Sequence, residues 1–121
     1  MNDYLQEEIN NAVKIICSSI DKCEKIQKKF SEGTSQHSLL KNRIKALYIS
    51  KYLLINDETI NSYTDLDLKK AVPPILSIKS KTEKAQRKYE EGSTQYKRFT
   101  SLIRAMTISN SLIETEILKR S

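Results

Sequence analysis

Residues 27–36 read QKKFSEGTSQ and residues 86–95 read QRKYEEGSTQ, nearly the same ten residues written twice at a spacing of 92 − 33 = 59. Sliding the chain by that offset extends the match. Glu24–Leu54 aligns with Glu83–Ile113, pairing Phe30 with Tyr89, Lys45 with Arg104 and Leu47 with Met106. A weaker match continues upstream, where Tyr4, Ala12, Val13 and Ile16 fall on Tyr63, Ala71, Val72 and Ile75. Self-similarity at a fixed offset is the mark of a duplicated structural unit. The chain is therefore expected to be one domain over residues 1–121, with repeat 1 at 2–60 and repeat 2 at 61–121.

Each unit reads as a helical hairpin. Ile9, Val13, Ile16, Ile20, Cys23, Gln27 and Phe30 recur at steps of three and four, the spacing that keeps side chains on one face of a helix. The first helix is expected to run to Gly33, because glycine takes the left-handed conformation that closes helices. Thr34 or Ser35 would then cap the next helix after a turn of two or three residues. In that second helix Leu40, Ile44, Leu47, Lys51 and Leu54 share a line, with Ala46, Ile49 and Leu53 beside it. The second unit repeats the pattern with Gly92, Ser93 or Thr94, then Phe99, Ile103, Met106, Ile113 and Ile117.

Pro73 and Pro74 stand where the first unit has Lys14 and Ile15. Proline removes a backbone donor and crowds the preceding turn, so a short helix at 64–71, a break, and a restart at Pro74 are expected. Asn56–Asp65, NDETINSYTD, is polar and rich in capping residues, and reads as the linker between halves. A lone hairpin leaves its apolar faces wet. The expected fold is thus all-α: an antiparallel up-and-down four-helix bundle built from two tandem, pseudo-twofold-related hairpins.

The 121 residues carry a net charge of +6, with two Gly, two Pro and no Trp. The positive balance favours acidic partners, although Lys and Arg are interleaved with Asp and Glu along the chain. The apolar runs, such as Tyr52–Ile55, fall far short of the roughly 20 residues that span a bilayer, so no membrane partner is expected. MNDYLQEEIN lacks the basic flank and apolar stretch of a secretory signal, which points to a cytoplasmic protein with Cys17 and Cys23 reduced.

Gln27 and Gln86 lie on the inner lines of their helices, where an apolar residue is expected. A buried amide must find partners, so these two form an inner polar pair that meets across the core or caps a neighbouring turn. Both GTSQ-type corners would sit at one end of such a bundle. There Lys28, Lys29, Thr34, Ser35, Gln36, Arg87, Lys88, Ser93, Thr94 and Gln95 are candidate contacts for an anion or a partner, against the plainer reading that Thr, Ser and Gln only cap helices. Glu24, Glu32, Glu83 and Glu91 have lysines at helical spacing and read as ion-paired surface residues.

Cys17 and Cys23 are six apart, which fits no CxxC metal or redox pair, and His37 is the sole histidine. No metal, cofactor or catalytic constellation is expected, and hence no enzyme. A protein-binding or regulatory module acting through a helical surface or a dimer is the leading expectation. A nucleic-acid-associated protein using Lys22, Lys25, Lys28 and Lys29 with Lys81, Lys84, Arg87 and Lys88 is the alternative. An immunity or antitoxin-like role is a third.

Overall fold

The structure, a computed structural model, describes residues 4–121. Among them are four α-helices and no strands: α1 Gln6–Gln27, α2 Ser35–Leu54, α3 Asp65–Gln86 and α4 Thr94–Arg120, with a 3-10 helix Glu58–Ser62 between α2 and α3. Among the described residues no helix is long and apolar enough to cross a membrane.

One core joins all four helices. Ile9, Ala12, Ile16 and Ile20 of α1 meet Leu47, Ile49 and Leu54 of α2, Leu68, Ala71 and Ile75 of α3, and Met106, Ile108 and Ile113 of α4. Most of these positions recur 59 residues apart with both members buried, as Ile16 does with Ile75 and Ile49 with Ile108. Each of α2 and α4 touches the other three helices, whereas α1 and α3 make no contact with each other. Small buried residues lie one turn apart on the two touching diagonals, Ala46 and Ser50 on α2, Ala105 and Ser109 on α4. Small side chains let helix backbones approach closely, which suits these two helices to the centre. The breadth of their apolar faces is thus consumed within the chain.

One ion pair ties α2 to α3 and another ties α4 to α1. Lys45 Nζ of α2 lies 2.7 Å from Asp67 Oδ1 in the first turn of α3. Arg104 Nε of α4 donates to Glu8 Oε2 in the first turn of α1 at 2.9 Å. The residues correspond at the 59-residue offset, Lys45 to Arg104 and Glu8 to Asp67.

The helix boundaries depart from expectation in three places. First, α1 ends at Gln27, not Gly33, and the connection to α2 takes the seven residues 28–34 rather than two or three. Gly33 does have positive φ, at 88°, but it turns the chain into α2 instead of closing α1.

Second, α3 runs unbroken through Pro73 and Pro74. The donors they lack would have served the carbonyls of Lys69 and Lys70, four residues earlier. Lys69, Lys70 and Pro73 are all exposed, so water can serve those carbonyls instead. On the opposite side Leu68, Ala71 and Ile75 are at most 3% exposed, and their burial holds the helix together across the defect.

Third, the linker is not featureless. Asp57 caps the 3-10 helix by accepting from Thr59 N at 2.8 Å, Asn56 takes φ of 57°, and Ile60 is buried. The guanidinium of Arg120 grips this segment by its backbone, donating to Tyr63 O at 2.6 Å and Ile60 O at 3.0 Å.

Candidate functional site

The two connections 28–34 and 87–93 are built by the same bonds. In the first, Lys29 N donates to Ile26 O at 3.0 Å and Phe30 N to Gln27 O at 3.1 Å. In the second, Lys88 N donates to Ala85 O at 3.2 Å and Tyr89 N to Gln86 O at 3.0 Å. Such i→i+3 bonds tighten the last turn and serve carbonyls that an ending helix leaves open. The chain then passes through Gly33 or Gly92, at φ of 88° and 86°, into the next helix. Glycine is needed at both, since this backbone crowds any β-carbon.

The expected caps are in place. Thr34 Oγ1 accepts from His37 N at 3.2 Å and Ser93 Oγ from Tyr96 N at 3.1 Å, so the N-caps are Thr34 and Ser93. Ser35 and Thr94 are the first helical residues, and with Gln36 and Gln95 they are exposed.

Gln27 and Gln86 take the second of the two roles foreseen for them. Gln27 Nε2 donates to His37 O at 3.4 Å. Gln86 Nε2 donates to Tyr96 O at 3.0 Å and to Thr100 Oγ1 at 2.7 Å. Each amide therefore staples the end of one helix to the first turn of the next. His37 and Tyr96 serve by their backbone, so these bonds do not fix the side chain at either position.

Lys28, Lys29, Arg87 and Lys88 stand exposed on these corners, and none has a carboxylate within 4.0 Å among the described residues. The five ion pairs present lie elsewhere, and the cations in them are Lys45, Arg104, Lys119 and Arg120. The reading of Glu24, Glu32, Glu83 and Glu91 as ion-paired is corrected here. None of them makes such a pair, and Glu24 instead accepts from Tyr48 Oη at 3.3 Å. Burial and the Glu24 charge together push the Tyr48 phenol's pKa up.

Sequence periodicity placed Phe30 on the inner line, yet Phe30 is 38% exposed and its counterpart Tyr89 42%. Both lie beyond the helix end, where the three-and-four spacing has no geometric meaning. Tyr89 leans on Phe99 of α4 with ring centroids 5.6 Å apart. Each corner thus presents a half-exposed aromatic directly after two unpaired cations, Lys28-Lys29-Phe30 and Arg87-Lys88-Tyr89. The cue in the sequence was the pair of cations itself, an abrupt polar run on what would have been a core-facing turn.

Cys17 and Cys23 are half-buried free thiols, and burial pushes the Cys23 pKa up although the Arg43 charge opposes it. No group of three or more His, Cys, Asp or Glu side chains among the described residues could hold a metal ion. Two grooves open on the flanks, away from the corners. One of about 850 Å³ lies among Ile9, Val13, Leu53 and Leu112, with Thr115, Glu116 and Lys119 on its rim. Another of about 590 Å³ lies between α2 and α3 and is lined by Leu39, Ile49, Pro73 and Pro74. Comparison of the chain with family models, with curated proteins and with solved structures finds no match.

Proposed function

We propose that the chain is a cytosolic binding module rather than an enzyme: an antiparallel up-and-down bundle of two related hairpins, whose two corners share one end and dock together on an anionic partner. Contacts within each hairpin favour the antiparallel arrangement. Gln27 pairs with the start of α2 while Glu24 meets Tyr48 further along it, and Gln86 pairs with the start of α4 while Asp65 lies 3.6 Å from Arg120 at its end. The exchanged ion pairs Lys45–Asp67 and Arg104–Glu8 favour a pseudo-twofold relation between the hairpins.

The observation that carries the functional reading is the division of charge. Residues 21–43 hold six cationic and three anionic side chains, and residues 79–98 hold seven and three. The corner half therefore carries 13 − 6 = +7, leaving −1 of the chain's +6 for everything else. Among the described residues all five ion pairs lie in the far half, and no cation of the corner half takes part in one. Concentrated unpaired charge of one sign raises the local concentration of the opposite sign and speeds association.

The test is elution from immobilised heparin by a salt gradient. Lys28→Glu/Lys29→Glu changes net charge as much as Lys69→Glu/Lys70→Glu, whose lysines are exposed on the far half. The corner variant is expected to elute at clearly lower salt and the control near the parent. Equal shifts for both would refute the reading.

A further inference from the structure

Resting on the anionic-partner reading, we infer that the partner is single-stranded nucleic acid, with its phosphates on the corner cations and its bases stacked on Phe30 and Tyr89. A cationic end alone would accept any polyanion. These corners add an aromatic at the same place twice, each about two-fifths exposed beside two unpaired cations. Single-strand binding proteins combine these two elements, a positive surface that follows the backbone and aromatic faces that take the bases. Duplex bases are already stacked and offer no face to such a ring. An acidic protein surface offers carboxylates but no regular run of exposed bases to lay on it.

The acids nearest the rings, Glu32 on one corner and Glu90 and Glu91 on the other, oppose phosphate there. The polyanion must therefore run over Lys25 and Lys84 in the last helical turns and Lys28 and Arg87 at the helix ends, with only its bases reaching the rest of the loop. An anionic membrane is less well matched. Beyond the two rings, Ile26 and Leu39 are the large aliphatic residues more than about two-fifths exposed at this end among the described residues, too little for a continuous apolar face.

The chain has no Trp, so Phe30→Trp and Tyr89→Trp each install a single reporter at the proposed stacking site. Stacking quenches indole fluorescence. Titration with a thymidine 20-mer, the matching duplex, heparin, and vesicles of phosphatidylserine in phosphatidylcholine at low salt distinguishes the sources. The expected result is quenching of both reporters by the single strand, with the parent protein binding it several-fold tighter than the duplex. Phe30→Ser and Tyr89→Ser should each weaken single-strand binding about tenfold while leaving heparin elution unchanged, since stacking contributes about 1 to 3 kcal/mol per base. Thermal melts identify a serine variant that fails to fold, in which case the Trp reporters alone decide. Binding of all polyanions alike without quenching would overturn the nucleic-acid inference and leave the anionic-partner reading standing. Preference for the vesicles would do the same. Failure to bind any of the four probes would sink both.

Discussion

Arg104 reaches from α4 to Glu8 in the first turn of α1, 96 residues earlier in the chain, with Nε 2.9 Å from the carboxylate. That hydrogen bond is the main cause of a lowered Glu8 pKa, aided by the backbone N–H of Leu5. The counterpart, Asp67, is bonded by Lys45 and the Thr64 N–H and is held down to about 2. Each acid both caps the start of its own helix and anchors a neighbouring one.

Acid sensitivity follows from these two groups. Their folded-state pKa values lie below the unfolded ones, near 3.9 for Asp and 4.3 for Glu, so their contribution is complete above those values and is lost as pH falls through the lowered ones, about 2 for Asp67. Melting temperature should drop between about pH 4 and 2, and Asp67→Asn should flatten that drop while lowering stability at pH 7. Melts of both proteins across pH 2–7 check it. An unchanged acid profile in Asp67→Asn would remove this carboxylate from the account.

Gly33→Ala and Gly92→Ala should each destabilise by about 1 to 2 kcal/mol, because both backbones sit at positive φ. Beyond its own chain neighbours an added β-carbon meets no atom within 4 Å at either site, so local backbone strain is the whole cost and the two variants should lose equally. Urea melts measure this. A stabilised variant would mean that the corner is not built as described.

Gln86→Ala should cost more than Gln27→Ala. Gln86 makes two hydrogen bonds, at 3.0 and 2.7 Å, and Gln27 one long one at 3.4 Å. At about 1 kcal/mol per bond the difference should be about 1 kcal/mol, and denaturant midpoints resolve it.

Pro73→Ala should stabilise the protein. Proline inside a helix costs about 3 kcal/mol against alanine, partly offset by about 0.4 to 1 kcal/mol because it restricts the unfolded chain. Pro73 is exposed and gives up little packing, so a net gain of about 2 kcal/mol is expected in thermal melts. A loss would show that Pro73 contributes more through restriction of the unfolded chain or packing than it costs the helix.

The core positions of α2 and α4 were legible because broad apolar faces at helical spacing leave few alternatives: Leu40, Leu47 and Leu54 are all buried as read. The capping residues were legible for a local reason, since Thr34 and Ser93 carry the oxygen that the following amides need. The end of α1 was not. Periodicity continued smoothly to Phe30, but whether that ring faces inward depends on the chain still being helical, and the i→i+3 bonds at Lys29 and Phe30 end it first. The unbroken α3 was hidden for the opposite reason. Local propensity argued for a break, and burial of Leu68 and Ile75 on either side outweighed it. Of the candidate site, the cations were visible in the sequence. Their lack of ion-pair partners was not, because lysine and glutamate at helical spacing are equally consistent with pairing and with its absence.

Arg120 holds the backbone of Ile60 and Tyr63, so the last residue of α4 fastens the linker, the hinge between α2 and α3. If the halves are alike, each can satisfy the other's contacts from a second molecule as well as from its own. What then separates a monomer from an exchanged dimer is the geometry of the hinge. A latch made by residue 120 closes only after α4 has been synthesised, so it acts later than the contacts formed within α1 and α2.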